Sequence, residues 1–247
     1  MSPSRRTLIG AALAAPLAVG ARAAQADPSW EELARRGLLS DPAGLARYRD
    51  DNQRVRSSGV PVDVVFLGDS ITEGWKAQRP AFFRPGRVCR GISGQTTPQM
   101  LLRTMADVVD LRTHAVHIMA GTNDIAGNTG PMTPAMTEDN FRAMSAIARQ
   151  HGIRVLLASI PPAARFPWRP EVAPRGRIAE INAWLRRFAG ETGAIYVDYH
   201  SALADAEGAM KPGLASDGVH PTGAGYDVMA AVAEPVLARI GRRGRRG

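Results

Sequence analysis

The most informative stretch of the chain covers residues 62–72 and reads Val62-Asp63-Val64-Val65-Phe66-Leu67-Gly68-Asp69-Ser70-Ile71-Thr72. Its first six residues are mostly β-branched or aromatic and are followed by glycine, a pattern typical of a short strand buried on both faces. Similar runs recur at Val88 to Gly91, Ala115 to Ala120, Ile153 to Ile160 and Ala194 to Asp198. The sequence therefore predicts five strands.

Helix-prone segments separate these runs, at Pro98 to Val109, Thr137 to Gln150, Arg177 to Ala189 and Ala224 to Ile240. The first of them follows Thr97 as a cap, with proline at the first helical position. Strands that alternate with helices predict a parallel sheet covered on both faces, that is, a doubly wound α/β domain. Residues 29–58 are polar and helix-prone, and the apolar contacts expected there are Leu33, Leu38, Leu39, Leu45 and Tyr48.

The positive charge of the chain is concentrated at its two ends. The 247 residues hold 31 Lys and Arg against 23 Asp and Glu, a formal net charge of +8. Residues 1–26 carry three arginines and residues 242–247 carry four, which leaves 24 basic against 23 acidic side chains in residues 27–241. A nearly neutral body lacks the basic surface of a nucleic-acid-binding protein. We therefore expect no nucleic-acid partner and interpret residues 242–247 as a solvated basic tail.

Residues 1–26 have the three-part pattern of an export signal. Arg5 and Arg6 supply the charge, Leu8 to Gly20 is apolar, and Ala24-Gln25-Ala26 fits a small-x-small cleavage site. The paired arginines are similar to those of a twin-arginine signal. We therefore expect a periplasmic or secreted protein whose single domain covers residues 27–241. No later apolar run approaches the roughly 20 residues that span a bilayer, so no integral membrane segment is expected in the mature protein.

Small polar side chains follow the predicted strands. In a doubly wound sheet the ligand lies beyond the carboxyl ends of the strands. Four glycine-containing turns occur at these ends or just before the last helix: Gly68-Asp69-Ser70-Ile71-Thr72, Gly91-Ile92-Ser93-Gly94-Gln95-Thr96, Gly121-Thr122-Asn123-Asp124 and Asp217-Gly218-Val219-His220-Pro221. These turns are the candidate functional segments.

Three side chains in these turns are suited to acyl transfer. Ser70 lies in the turn that follows a buried strand, and its hydroxyl becomes a nucleophile once a base takes its proton. His220 is the candidate base because imidazole titrates near neutrality. Asp217 lies three residues earlier, and in a tight turn its carboxylate can reach the imidazole and fix the tautomer. His200 is the one serious alternative base.

The anionic intermediate of acyl transfer also needs fixed hydrogen-bond donors. The candidates are the backbone N–H groups of Ser70 and Gly94 and the side-chain amide of Asn123. Gly94 permits a close approach because it has no side chain. No His, Asp or Glu cluster has metal-ligand spacing, and the single cysteine, Cys89, excludes a Cys-based zinc site, so we expect neither metal nor cofactor.

The four turns, in this order, resemble the sequence blocks of the GDSL or SGNH hydrolase superfamily, although the first reads Gly-Asp-Ser-Ile rather than Gly-Asp-Ser-Leu. The match runs from Phe66 to Pro221 and places the name-giving residues and the triad aspartate at Ser70, Gly94, Asn123, His220 and Asp217. The resemblance implies a flavodoxin-like three-layer α/β/α sandwich with a parallel five-stranded sheet. It also implies hydrolysis of esters or thioesters without metal or cofactor.

We therefore expect an exported serine esterase that acts on short-chain, acetyl-like acyl esters of a small molecule or a carbohydrate. An O-acyltransferase acting on cell-envelope sugars would use the same acyl-enzyme and differ only in the acceptor. A non-catalytic binding module would leave the four turns unexplained.

The long irregular segment Pro161 to Pro174 allows two interpretations. Either Trp168 lines the mouth of the site, or Phe166 and Trp168 only hold the loop in place.

Overall fold

The computed structural model describes residue 32 and residues 39–243, and the side chains as far as residue 240. The predicted export signal over residues 1–26 lies outside these residues, and so do Leu33, Leu38 and residues 244–247 of the predicted basic tail. No helix within the described part of the chain is long and apolar enough to cross a membrane.

Five parallel strands form a single sheet. They are β1 (Val64–Gly68), β2 (Arg87–Gly91), β3 (Ala115–Met119), β4 (Arg154–Ala158) and β5 (Ile195–Val197). Their order across the sheet is β2-β1-β3-β4-β5, and each neighbouring pair is parallel. This is the strand order of a flavodoxin-like sheet, so the predicted fold class is confirmed.

The α-helices of residues 41–243 are α1 (Arg49–Ser57), α2 (Ser70–Gln78), α3 (Thr97–Asp107), α4 (Thr122–Ala126), α5 (Pro134–Gln150), α6 (Pro174–Thr192), α7 (Tyr199–Leu203) and α8 (Gly223–Arg243). The four predicted helices correspond to α3, α5, α6 and α8. The cap of α3 is Thr96 rather than Thr97, because Thr96 and Gln99 form a reciprocal capping box. The short helices α2, α4 and α7 were not predicted, since they hold too few apolar residues for a helical period.

Two apolar layers cover the sheet because successive side chains of a strand point to opposite faces. Val65 and Leu67 of β1 pack in one core cluster with residues of α3, α5 and α6. Val64 and Phe66 pack in the other cluster with residues of α2, α7 and α8. The result is the predicted three-layer α/β/α sandwich.

The apolar contacts expected before β1 are partly wrong. Leu39 is 81% exposed and Leu45 is 41% exposed, whereas Tyr48 is buried. The chain enters α1 through a 3-10 turn over Leu45–Tyr48, and the buried positions are Tyr48 and Asn52, four residues apart. That spacing puts Tyr48 and Asn52 on one side of the turn and helix. The side chains of Leu39 and Leu45 remain exposed.

Candidate active site

The candidate site lies where the strand order reverses, at the carboxyl ends of β1 and β3. In doubly wound sheets this crevice is the usual ligand position. Ser70 begins α2 directly after β1, Gly94 follows β2, and Asn123 lies in α4 directly after β3. The sheet therefore brings these three residues to one edge.

The start of α2 determines the position of Ser70. The side chain of Asp69 caps the helix and accepts a hydrogen bond from Ile71 N at 3.0 Å. Ser70 is thus the first helical residue, where the backbone N–H has no partner within the helix. Glycine at 91 lets α2 approach β2, because a Cβ there would overlap the backbone nitrogen of Glu73.

Contacts between α2 and the start of α8 set the position of His220. Gln78 Nε2 donates to Pro221 O at 3.1 Å, and Tyr226 Oη donates to Ile71 O at 2.8 Å. Both contacts hold the segment before α8 against α2. They place the His220 imidazole beside Ser70, which is 150 residues earlier in the chain.

Ser70, His220 and Asp217 form a continuous chain of hydrogen bonds. Ser70 Oγ lies 2.9 Å from His220 Nε2, and His220 Nδ1 lies 2.8 Å from Asp217 Oδ2. The other carboxylate oxygen of Asp217 accepts from the backbone N–H groups of Val219 and His220 at 2.9 and 2.8 Å. This tight turn fixes both side chains.

The carboxylate of Asp217 determines which ring nitrogen of His220 carries the proton. Partial burial opposes ionisation of Asp217, but the hydrogen bonds from His220 and Val219 outweigh it and lower the pKa of the carboxyl group. An ionised carboxylate only accepts, so Nδ1 donates the proton to Asp217. In the neutral ring, Nε2 then has a free lone pair directed at the hydroxyl of Ser70.

The side-chain amide of Asn123 lies at the same edge and is buried. Its Nδ2 donates to Gln95 O at 3.0 Å and reaches Asp69 Oδ2 only at 3.4 Å. The second contact is beyond the usual 2.7–3.2 Å of an N–H···O hydrogen bond. One N–H of Asn123 is therefore held firmly, and the other is only weakly engaged.

Gly94 occupies the third position of a turn closed by Gln95 N donating to Ile92 O at 3.3 Å. Its φ of +78° is the value that a type II turn requires at this position and that favours glycine. Glu73 of α2 supports the turn from the side, since its carboxylate accepts from Ser93 N at 2.9 Å and also from the Ser93 hydroxyl.

Asp69 is a buried carboxyl group directly before Ser70. Burial raises its pKa to about 6, although the hydrogen bond from Ile71 N and the nearby His220 favour the charged form. No role for Asp69 or Glu73 was predicted from the sequence. The position of Asp69 before a short helix would have identified it as a cap, but its burial depends on distant residues.

The structure brings His220 rather than His200 to Ser70. His200 lies in α7, where its backbone N donates to Ser159 Oγ at 2.8 Å, and burial lowers the pKa of its imidazole. His117 of β3 is buried, and burial lowers its pKa to about 3. Its Nε2 lies 2.9 Å from Tyr199 Oη, within the core.

The two aromatic residues of the long loop have different environments. Phe166 is fully buried, whereas Trp168 is 37% exposed. The Trp168 ring lies 5.8 Å from the His220 ring, and its Nε1 donates to Asn128 Oδ1 at 3.1 Å. Phe166 is therefore a core residue, whereas Trp168 stacks on Phe166 with ring centroids 5.2 Å apart and lies beside His220. Within the described residues, no group of three or more His, Cys, Asp or Glu side chains is placed to hold a metal ion.

Comparison with known proteins identifies the class of the fold and of the site. The profile of the GDSL-like lipase/acylhydrolase family matches residues 66–228. A GDSL-like lipase from Bacteroides thetaiotaomicron is 38% identical, with a TM-score of 0.74 over 80% of this chain and 98% of its own. A catalytic mutant of an acetylxylan esterase from Geobacillus stearothermophilus is 21% identical and shares the fold, with a TM-score of 0.56 over 74% of this chain and 95% of its own. No curated protein matches the chain.

The chain belongs to the GDSL-like lipase/acylhydrolase family. It is accordingly a carboxylic ester hydrolase, and the resemblance drawn from the four turns is confirmed. The matched region includes all four of those turns.

Proposed function

We propose that the chain is an exported serine esterase that hydrolyses short-chain, acetyl-like acyl esters. The observation that carries the proposal is the chain of hydrogen bonds from Ser70 Oγ through His220 to Asp217, with the Asn123 amide at the same edge. Ser70 is the nucleophile, His220 is the general base and Asp217 holds the imidazole in the required tautomer.

In the first half of the reaction, Ser70 Oγ attacks the ester carbonyl carbon while its proton passes to His220 Nε2. The carbonyl oxygen gains the negative charge and accepts hydrogen bonds from the backbone N–H groups of Ser70 and Gly94 and from Asn123 Nδ2. The tetrahedral intermediate then collapses. The bond to the alcohol oxygen breaks, the alcohol takes the proton from His220, and an acyl-serine remains.

In the second half, a water molecule attacks the acyl-serine as His220 Nε2 accepts one of its protons. The same three donors stabilise the second tetrahedral intermediate. The bond between the acyl carbon and Ser70 Oγ then breaks, and the serine oxygen takes the proton back from His220. Carboxylic acid and free enzyme result, with no net oxidation and no co-reactant other than water.

The short connections around the site support a preference for small acyl groups. Only Asp69 separates β1 from α2, and only Ala120 and Gly121 separate β3 from α4. Among the described residues, Trp168 is the large, exposed apolar side chain that contacts His220. A long acyl chain would therefore bury little surface, and each methylene contributes about 0.8 kcal/mol only when it is fully buried.

The exposed indole at the mouth of the site favours a carbohydrate as the alcohol part of the ester. Aromatic faces stack on sugar rings, and Trp168 presents a partly exposed indole beside His220. Besides the Geobacillus esterase, another structural neighbour is described as an acetyl xylan esterase, with 19% identity and a TM-score of 0.59. We include acetylated oligosaccharides among the substrates to be tested.

The proposed export rests on residues 1–26, whose charged, apolar and small-residue regions follow the order of a signal peptide. Replacing both Arg5 and Arg6 with Lys should trap the precursor inside the cell, since a twin-arginine signal needs the arginine pair. Cell fractionation measures the result. Unchanged export of the double variant would contradict the twin-arginine route.

The function is tested by measuring turnover of C2 to C16 acyl esters and of an acetylated xylo-oligosaccharide, with EDTA present. We expect the highest kcat/KM at C2 to C4 and no activity in Ser70→Ala. A maximum at C10 or longer, or abolition by EDTA, would contradict the proposal. Transfer of acetyl to an added sugar in preference to water would instead identify an acyltransferase.

A further inference from the structure

Asn128 contacts both the proposed oxyanion hole and the mouth of the site. Its Nδ2 donates to Asn123 Oδ1 at 2.8 Å and lies 3.4 Å from Gly94 O. Its Oδ1 accepts from Trp168 Nε1 at 3.1 Å. Its backbone N also donates to Asn123 O at 3.0 Å, so Asn128 is held against Asn123 through main chain and side chain.

The donors and acceptors in this network allow one orientation of each amide. The indole N–H of Trp168 only donates, so the oxygen of the Asn128 amide must face it. The Asn128 nitrogen is then directed at Asn123, whose oxygen must accept from it. The Asn123 nitrogen faces Gln95 O, a backbone carbonyl that only accepts. The contact with Trp168 at one end and the contact with Gln95 O at the other therefore require the same orientations of the Asn128 and Asn123 amides.

We propose that Asn128 is a positioning residue that takes its orientation from Trp168 and keeps the weakly engaged N–H of Asn123 directed at the oxyanion. The inference rests on the proposed role of Asn123 as an oxyanion donor. A flipped Asn123 amide would present its oxygen to the developing negative charge, which it would repel. The hydrogen bond from Asn128 Nδ2 to Asn123 Oδ1 opposes that flip.

Asn128→Asp tests the proposal with little change in shape. The new carboxylate still accepts from Trp168, but it has no hydrogen to donate to Asn123 Oδ1. We expect kcat for an acetyl ester to fall about 10- to 100-fold while KM changes less than about 3-fold, the pattern of a lost transition-state interaction. An unchanged kcat would overturn the proposal.

A double-mutant cycle separates orientation of Asn123 from a direct effect of the new negative charge. If Asn128 acts through Asn123, Asn128→Asp should lower kcat less than about 3-fold in an Asn123→Ala background. A charge effect would instead persist there. Additive losses in the double variant would therefore overturn the proposal.

Trp168→Phe provides a second variant at a partly exposed position, where loss of folding is not expected. It keeps an aromatic ring but removes the donor that orients Asn128. We expect a 3- to 10-fold lower kcat for the acetyl ester, and no further loss when Asn123→Ala is also present. A kcat equal to that of wild type would contradict the part assigned to Trp168.

Asn182→Asp is the matched control for stability. Its buried Nδ2 donates to Ile160 O at 3.0 Å, so the same substitution also removes one buried hydrogen bond. We expect a lower Tm in both variants but a lower kcat only in Asn128→Asp. Equal kcat values for the two would overturn the proposal.

Retained hydrolysis in Ser70→Ala would refute the proposed function itself, whereas an inactive Ser70→Ala with a fully active Asn128→Asp would refute only the inference.

Discussion

Two polar clusters adjoin β1, and they differ in burial and in the chemistry of their paired groups. The arginine cluster (Asn52, Arg90, Arg103 and Asp107) is buried between α1, α3 and the sheet. Every nitrogen of Arg103 donates there, to Gln95 Oε1, Arg90 O, Asp107 Oδ2 and Gly68 O, at 2.6–2.9 Å. In the catalytic cluster, His220 and Asp217 are each 35% exposed, and the hydroxyl of Ser70 contacts His220 Nε2.

The difference indicates why one cluster stabilises the fold and the other can react. The buried Arg103 guanidinium donates through all three of its nitrogens and so fixes its neighbours, although Nη2 of the adjacent Arg90 has no hydrogen-bond partner among the described residues. In the catalytic cluster, the Ser70 hydroxyl is paired with the lone pair of His220 Nε2, and one N–H of the Asn123 amide is only weakly engaged. Gln95 joins the two, because its side chain accepts from Arg103 and its backbone oxygen accepts from Asn123.

Removal of the base should give the greatest loss of activity. We expect His220→Ala to lower kcat about 10⁴-fold or more, since Ser70 then has no proton acceptor. The Tm should change little because the ring is partly exposed. His200→Ala is the control and should retain most activity. The reverse outcome for the two histidines would show that the base is misassigned.

Removal of Arg103 should destabilise the fold rather than remove a catalytic group. Arg103→Ala leaves Asp107 and two backbone carbonyls buried without their partner, and we expect a loss of about 3–5 kcal/mol in the free energy of unfolding. Denaturant unfolding measures it. Arg186→Ala, which removes a surface ion pair with Asp198, should cost less than about 1 kcal/mol. Equal losses in the two variants would contradict the distinction between buried and surface pairing.

Removal of one oxyanion donor should give an intermediate loss of activity. We expect Asn123→Ala to lower kcat by about 10²–10³ while leaving KM nearly unchanged, because the hydrogen bond is strongest in the transition state. Steady-state kinetics on an acetyl ester provides the measurement. A rise in KM with unchanged kcat would instead identify Asn123 as a ground-state binding residue.

Asp69 should make stability depend on pH. Its pKa is about 6 in the folded chain, against an ordinary value of 3.8, so the folded state binds more protons between these pH values. The stability contributed by Asp69 therefore falls as pH rises from about 4 to 6, by roughly 1–3 kcal/mol. The difference in Tm between wild type and Asp69→Asn, measured across this range, should show that slope. A pH-independent difference would contradict the raised pKa.

Much of the fold could be predicted because its signals are local. The run from Val64 to Gly68, and the turns after three strands, are readable from neighbouring residues alone. The tight turn at Asp217 to His220 is of the same kind, since its hydrogen bonds join residues at most three positions apart.

The remaining features depend on contacts between distant segments, which no local pattern encodes. The burial of Asp69 and the link from Trp168 to Asn128 require the tertiary structure. Leu39 and Leu45 have the composition of core residues, yet the turn before α1 leaves them exposed. The short helix α2 was also missed, because a serine directly after a strand predicts a turn as readily as a helix.

Covalent labelling provides the most direct test of Ser70 as the nucleophile. A fluorophosphonate reacts with an activated serine, and mass spectrometry of the digested protein locates the adduct. We expect one phosphonylated peptide, carrying the adduct at Ser70, in wild type and no labelling of Ser70→Ala. Labelling of another serine, or ester hydrolysis that persists in Ser70→Ala, would contradict the assignment.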